Sequence, residues 1–217
     1  MDRVTAKREQ EDPGASDSGR GLRLGIMGGT FDPVHAGHLI VAQDVLEALD
    51  LDRILFVPAA RPPHKSHEEL TPAALRARMV RSAVEDDPRF QVSDLELKRA
   101  GVSYTVDTLE ELRDQHPEAE LHLILGADQW ADFGHWHKPR RIVELAHLVL
   151  MTREGDRPSE VDAGFTDGPP PEFRELRVTR VEISSTRIRE RLRTGRAIRY
   201  LVPEPVRRII EAGKLYS

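Results

Sequence analysis

Leu22-Arg23-Leu24-Gly25-Ile26-Met27 runs directly into Gly28-Gly29-Thr30-Phe31-Asp32-Pro33-Val34-His35-Ala36-Gly37-His38, and residues 39–49 follow with apolar side chains at helical spacing. Read in order, this is a buried strand, a glycine-rich turn and a helix. The alternation continues downstream. Residues 53–58 read as a second strand, and Thr71-Pro72 opens a helix to about Val84, with Thr71 as N-cap and Pro72 at the first helical position. Short strands at 90–92, 121–125 and 147–151 alternate with helices at 105–115 and 141–145. Such alternation builds right-handed βαβ units and a parallel sheet. The expected fold is α/β, a Rossmann-like open parallel sheet with helices on both faces. The tail reads as two helices between 184 and 215, broken near Gly195 and reopened by Pro203 and Pro205, a small C-terminal helical subdomain.

Residues 1–21 are polar and rich in Gly, Ser, Pro and mixed charge, the composition of a disordered leader. The expected organisation is this leader, a main domain over 22–183 and the helical subdomain over 184–217. Residues 153–175, with Pro169-Pro170-Pro171, read as a long exposed loop or insertion. The 217 residues are 39% hydrophobic and 32% charged, enough to bury a core, and the formal net charge of -5 argues against a nucleic-acid partner. The absence of cysteine removes disulfides, thiolate metal ligands and thiol nucleophiles. No apolar run approaches the ~20 residues of a membrane span, and the first residues lack a secretory apolar core. A cytoplasmic location without a membrane partner is the expectation.

The strand-to-helix junction is the first candidate site. In open α/β sheets ligands bind outside the carboxyl ends of the strands. Gly28 and Gly29 let backbone N–H groups approach a phosphate, and the following helix presents its positive end to the same place. His35 and His38, three apart, can face one ligand and donate to phosphoryl oxygens. No nearby Cys, Asp or Glu completes a zinc ligand set, so no resident metal is expected here. A second anion site lies in Ile183-Ser184-Ser185-Thr186-Arg187-Ile188-Arg189, where three hydroxyl residues and a cation open a helix. Arg189, Arg191 and Arg193 read as a solvated basic face, and His64, His67, His135 and His137 as surface residues.

The first segment resembles the GGTFDPxHxGH signature of the nucleotidylyltransferase superfamily, and the second resembles its ISSTxIR element. Pro62-Pro63-His64-Lys65, Ser103-Tyr104-Thr105-Val106-Asp107-Thr108-Leu109, Leu125-Gly126-Ala127-Asp128 and Phe133-Gly134-His135-Trp136 are similar to the bacterial nicotinate-nucleotide adenylyltransferase family, and the likeness runs from about residue 23 to the end. The resemblance implies transfer of AMP from ATP to nicotinate mononucleotide, giving nicotinate adenine dinucleotide and pyrophosphate in NAD biosynthesis. It implies His35, His38 and Arg187 as catalytic residues. It implies Gly28, Gly29, Thr30, Phe31, Ser184, Ser185 and Thr186, with those three, as the ATP site. Mg²⁺ would accompany ATP. On the mononucleotide side, Trp136 offers a flat face to a pyridine ring, Asp128 a carboxylate to ribose hydroxyls, Thr105 helix-start N–H groups to a carboxylate, and Lys65 a charge to phosphate. The nearest alternatives are an enzyme of the same fold acting on nicotinamide mononucleotide or phosphopantetheine, and an ATP sensor without turnover. A homo-oligomer is compatible with this family; the leader and the 153–175 loop depart from its compact pattern.

Overall fold

The computed structural model describes residues 20–63, 70–153 and 168–217. Six strands form one sheet: β1 (Arg23–Gly29), β2 (Arg53–Pro58), β3 (Phe90–Val92), β4 (Glu120–Leu125), β5 (His147–Thr152) and β6 (Arg174–Arg177). Their order is β3-β2-β1-β4-β5-β6, and every pairing is parallel. The central strands are near-continuous apolar runs because both faces are covered. Leu24, Ile26, Leu55, Val57, Leu121, Leu123, Leu148 and Leu150 point into one core layer. Met27, Ile54, Phe56, Ile124 and Val149 point into the other. This is the period of two that a strand imposes. Fully burying a side chain such as Phe56 or Leu121, each 0% exposed, contributes roughly 1.5–3 kcal/mol.

Among the described residues eight helices accompany the sheet: α1 (Ala36–Ala48), α2 (Ala73–Val84), α3 (Leu95–Lys98), α4 (Thr105–Gln115), α5 (Ala127–Ala131), α6 (Pro139–Leu145), α7 (Ser185–Arg193) and α8 (Glu204–Ala212). A 3-10 turn, Phe133–His135, follows α5. Apolar residues of α1, α2, α7 and α8 fill one layer, and those of α4 and α6 the other. The α/β reading with helices on both faces therefore holds. The strand order reverses between β1 and β4, and this opens a crevice at their carboxyl ends.

Three local expectations are corrected. Gly28 and Gly29 are the last residues of β1, not a turn, because they stay in register with Val57 and Pro58. Helix α2 starts at Ala73 with Pro72 as N-cap, since ψ of 134° keeps Pro72 out of the helix. Residues 174 and 175, expected at the end of the 153–175 loop, instead open the edge strand β6 on β5, which runs on to Arg177. Its mostly exposed Arg-Glu-Leu-Arg sequence carries no apolar alternation, as suits an edge that must not recruit other strands. Among the described residues no helix is long and apolar enough to cross a membrane.

Candidate active site

The segment after β1 is fixed from several sides. Phe31 has a φ of 50°, and its ring is 3% exposed. A Cβ on Gly29 would lie 2.9 Å from that ring, so Gly29 has to be glycine for Phe31 to fold back. A Cβ on Gly28 would meet nothing within 4 Å, and Gly28 lines the cavity at the carboxyl ends of the strands. Arg76, from α2, is 1% exposed and donates to the carbonyls of Thr30 (2.6 Å), Ala59 (2.7 Å) and Thr71 (2.8 Å). Burial pulls its pKa down, and the neighbouring Asp32 charge opposes that shift. Asp32 is itself 2% exposed.

His35 is the N-cap of α1, and His38 sits three residues on. Their rings stack at 3.7 Å, and Phe31 meets His38 edge-on at 5.1 Å. The His35 N–H donates to His38 Nδ1 at 3.2 Å. His38 Nδ1 is thus an acceptor, so in the neutral ring the proton resides on Nε2. His35 Nδ1 is buried and without a hydrogen-bond partner. Burial lowers the His35 pKa to about 4; burial and the adjacent His35 lower that of His38 to about 3. Both imidazoles are neutral donors at neutral pH.

Helix α7 is tied to the same segment. Ser184 is its N-cap and accepts from the Arg187 N–H at 3.2 Å. The Ser185 hydroxyl donates to the Pro33 carbonyl at 2.8 Å. Thr186 and Arg187 are exposed at the opening turn. Arg189 does not belong to a purely solvated face: its Nη1 donates to the Asp32 carbonyl at 2.7 Å.

Two cavities flank this centre. The larger, about 920 Å³, opens between β1, β2, β4 and α4 and is lined by Gly28, Gly29, Thr30, Thr105, Asp128 and Trp136. The smaller, about 480 Å³, is lined by His35, His38, Ser184, Ser185 and again Asp128. Asp128 and Gln129, in α5, wall both cavities. Thr105 is the first residue of α4, whose opening N–H groups lack intrahelical partners. Trp136 is half-buried, tilted against Phe133 at 5.3 Å. Lys65, with His64 and His67, lies outside the described residues.

Several residues of the site escaped the sequence reading. His135 and His137 are exposed but line the larger cavity, and His137 packs on Tyr104 at 4.4 Å. Gln129 accepts from the Gly126 N–H through Oε1 (3.0 Å), so its amide NH₂ turns the other way. Glu96 lines the larger cavity at 7% exposure and accepts from the Thr108 hydroxyl at 2.8 Å. Burial pushes its pKa up, against hydrogen bonds from Ser103 and Thr108. Arg76 had a readable signal: it shares the buried stripe of α2 with Met79, Val80 and Val84, and a cation there requires buried acceptors.

The cytidylyltransferase-like family model matches residues 26–191. The probable nicotinate-nucleotide adenylyltransferase of Thermus thermophilus is 49% identical over 195 residues, covering 90% of this chain and 100% of its own. That of Geobacter metallireducens is 41% identical over 213 residues, covering 90% and 99%. The structure of Plasmodium falciparum nicotinic acid mononucleotide adenylyltransferase complexed with NaAD shares the fold, with a TM-score of 0.74 at 20% identity over 90% of this chain and 97% of that one. The chain belongs to the cytidylyltransferase-like family and, within it, to the nicotinate-nucleotide adenylyltransferases.

Proposed function

We propose that the chain transfers the adenylyl group of ATP to nicotinate mononucleotide, releasing pyrophosphate and nicotinate adenine dinucleotide, by direct in-line attack. The observation that carries this reading is the pair of cavities sharing Asp128 and Gln129 as a common wall, with Gly28 and Thr30 on one side and His35 and His38 on the other. A dinucleotide product needs two nucleoside sites that meet at a phosphate centre.

The mononucleotide phosphate attacks the α-phosphorus of ATP, the new P–O bond forms, and the bond to the bridging β-oxygen breaks as pyrophosphate leaves. The nucleophile is already anionic, so no general base is needed, and the work is alignment and charge stabilisation. His38 offers its Nε2–H, and His35 stands beside it, at the α/β-phosphate region. The backbone N–H groups around Gly28, Gly29, Thr30 and Phe31 cradle phosphate oxygens; the Phe31 ring, being buried, serves by holding His38. Ser184, Ser185, Thr186 and Arg187 take the β- and γ-phosphates at the start of α7, so the 184–217 segment completes the ATP site. Trp136 stacks on the pyridine, Thr105 receives its carboxylate on helix-start N–H groups, Asp128 binds ribose, and Lys65 neutralises phosphate. Mg²⁺ would be carried by the triphosphate and its own waters. When bound, Mg²⁺ would neutralise charge on the triphosphate.

Pyrophosphate release, measured with ATP and a panel of nicotinate mononucleotide, nicotinamide mononucleotide and phosphopantetheine, tests the reading. Turnover with the first is expected to dominate; turnover confined to another acceptor overturns it.

A further inference from the structure

We infer that Tyr216 is a positioning residue for the reaction: its hydroxyl, bonded to Asp32, holds the segment that carries Phe31 and thereby seats His38. This rests on the adenylyl-transfer reading above. Tyr216 lies more than 180 residues along the chain from the β1 segment, yet its hydroxyl donates to Asp32 Oδ1 at 2.5 Å. The second carboxylate oxygen accepts from the Thr71 N–H at 3.3 Å, and the Asp32 carbonyl accepts from Arg189 at 2.7 Å. Asp32 is therefore a buried node where α7, the approach to α2 and the segment after α8 converge. Tyr216 reaches it with a φ of 66°, a left-handed backbone unfavourable for a residue with a Cβ. Burial and the Asp32 carboxylate both raise the phenol pKa, so the hydroxyl stays a donor.

The mechanical link to chemistry is short. Asp32 follows Phe31, whose ring rests on Gly29 and on the edge of His38. Arg76 fixes the Thr30 carbonyl on the other side. Without the Tyr216 hydroxyl, the Asp32 carboxylate keeps Thr71 but loses its short partner, and the Phe31 turn gains freedom. The packing of Tyr216 against the core layer of α1, α2, α7 and α8 is unaffected by losing one oxygen.

The test is Tyr216→Phe in the full chain, with Tyr200→Phe, at an 86% exposed position, as control. The expected result is a kcat lower by about 5- to 30-fold, the scale of a sub-ångström misplacement, with both KM values within about twofold and Tm within a few degrees of the parent. Tyr200→Phe should match the parent. In an Asp32→Ala background, which removes the acceptor, the Tyr216→Phe effect should largely vanish, because the two act as a unit. A kcat within about twofold of the parent overturns the inference, as does a loss accounted for by a lower folded fraction. If the parent releases no pyrophosphate from ATP and nicotinate mononucleotide, the functional reading has failed instead. The positioning claim is then decided by hydrogen exchange of the 28–34 amides, which Tyr216→Phe should speed about tenfold; unchanged exchange overturns it.

Discussion

The two walls of the centre are built differently. On the β1 side Phe31, Asp32, Val34 and His35 are all buried, and Arg76, Ser185, Arg189 and Tyr216 each bond into the segment. On the opposite side Asp128, His135 and His137 are exposed, and Trp136 and Thr105 are half-buried. Groups that stabilise developing charge work best when already oriented, since reorientation during the reaction cancels their advantage. A recognition wall has to admit a substrate and can stay open. From this difference we propose that catalysis belongs to the braced wall and discrimination to the open one.

The sharpest break of this comparison is His38→Ala. It removes a charge-stabilising donor and the acceptor for the His35 N–H. We expect turnover to fall at least ~100-fold, the scale for one preorganised donor, while the lost cap costs only about 1 kcal/mol of stability. Steady-state kinetics beside a urea melt separates the two. Near-parental turnover in a folded variant would remove His38 from the chemistry.

Substrate choice tests the open wall. A carboxylate on the α4 N–H groups satisfies both oxygens, whereas a carboxamide turns an NH₂ toward one donor. That mismatch costs about 1–3 kcal/mol or more, so kcat/KM should favour nicotinate over nicotinamide mononucleotide by roughly 10- to 1000-fold. Equal values would detach the Thr105 helix start from recognition.

A smaller effect is expected at Trp136. Its ring leans on Phe133, and the residue lines the larger cavity. Trp136→Leu should raise KM for both mononucleotides alike by about 3- to 10-fold, the scale of a lost aromatic contact, with kcat nearly unchanged. A selective effect on one substrate would assign Trp136 a role in discrimination rather than stacking.

The sheet was legible because its central strands are near-continuous apolar runs, and the junction at His35 and His38 because glycines and histidines there have few structural uses in combination. Residues 174–177 were not, since an exposed edge strand carries charge where a core strand carries Val or Leu. Arg189 and Tyr216 were hidden for another reason: they act on the segment after β1 from 157 and 184 residues away in sequence. Periodicity reports which face of an element is buried, not which distant carbonyl waits there. Gln129 was hidden by size, α5 being five residues long, too short for a pattern.

The last prediction turns the braced wall into a stability measurement on the ligand-free chain. Burial lowers His35 to about 4, and burial with the His35 neighbour lowers His38 to about 3, against about 6.5 in an unfolded chain. Below 6.5 the unfolded state therefore takes up protons that the folded state refuses. Stability must fall as pH drops from about 6.5 toward 3–4, and the loss is complete once both states are protonated. His122, lowered to about 4 by burial first and by His147 next, adds a background of the same sign. Comparing parent with the His35→Gln, His38→Gln double variant removes that background. Between pH 7.5 and 5.0 the parent Tm should drop by roughly 7–15 °C more than that of the variant. Gln cannot titrate, so it keeps only the shared part of the loss. Parallel Tm curves would mean that the two imidazoles ionise as freely in the folded chain as in the unfolded one, and the claim that this wall holds neutral donors would go with them.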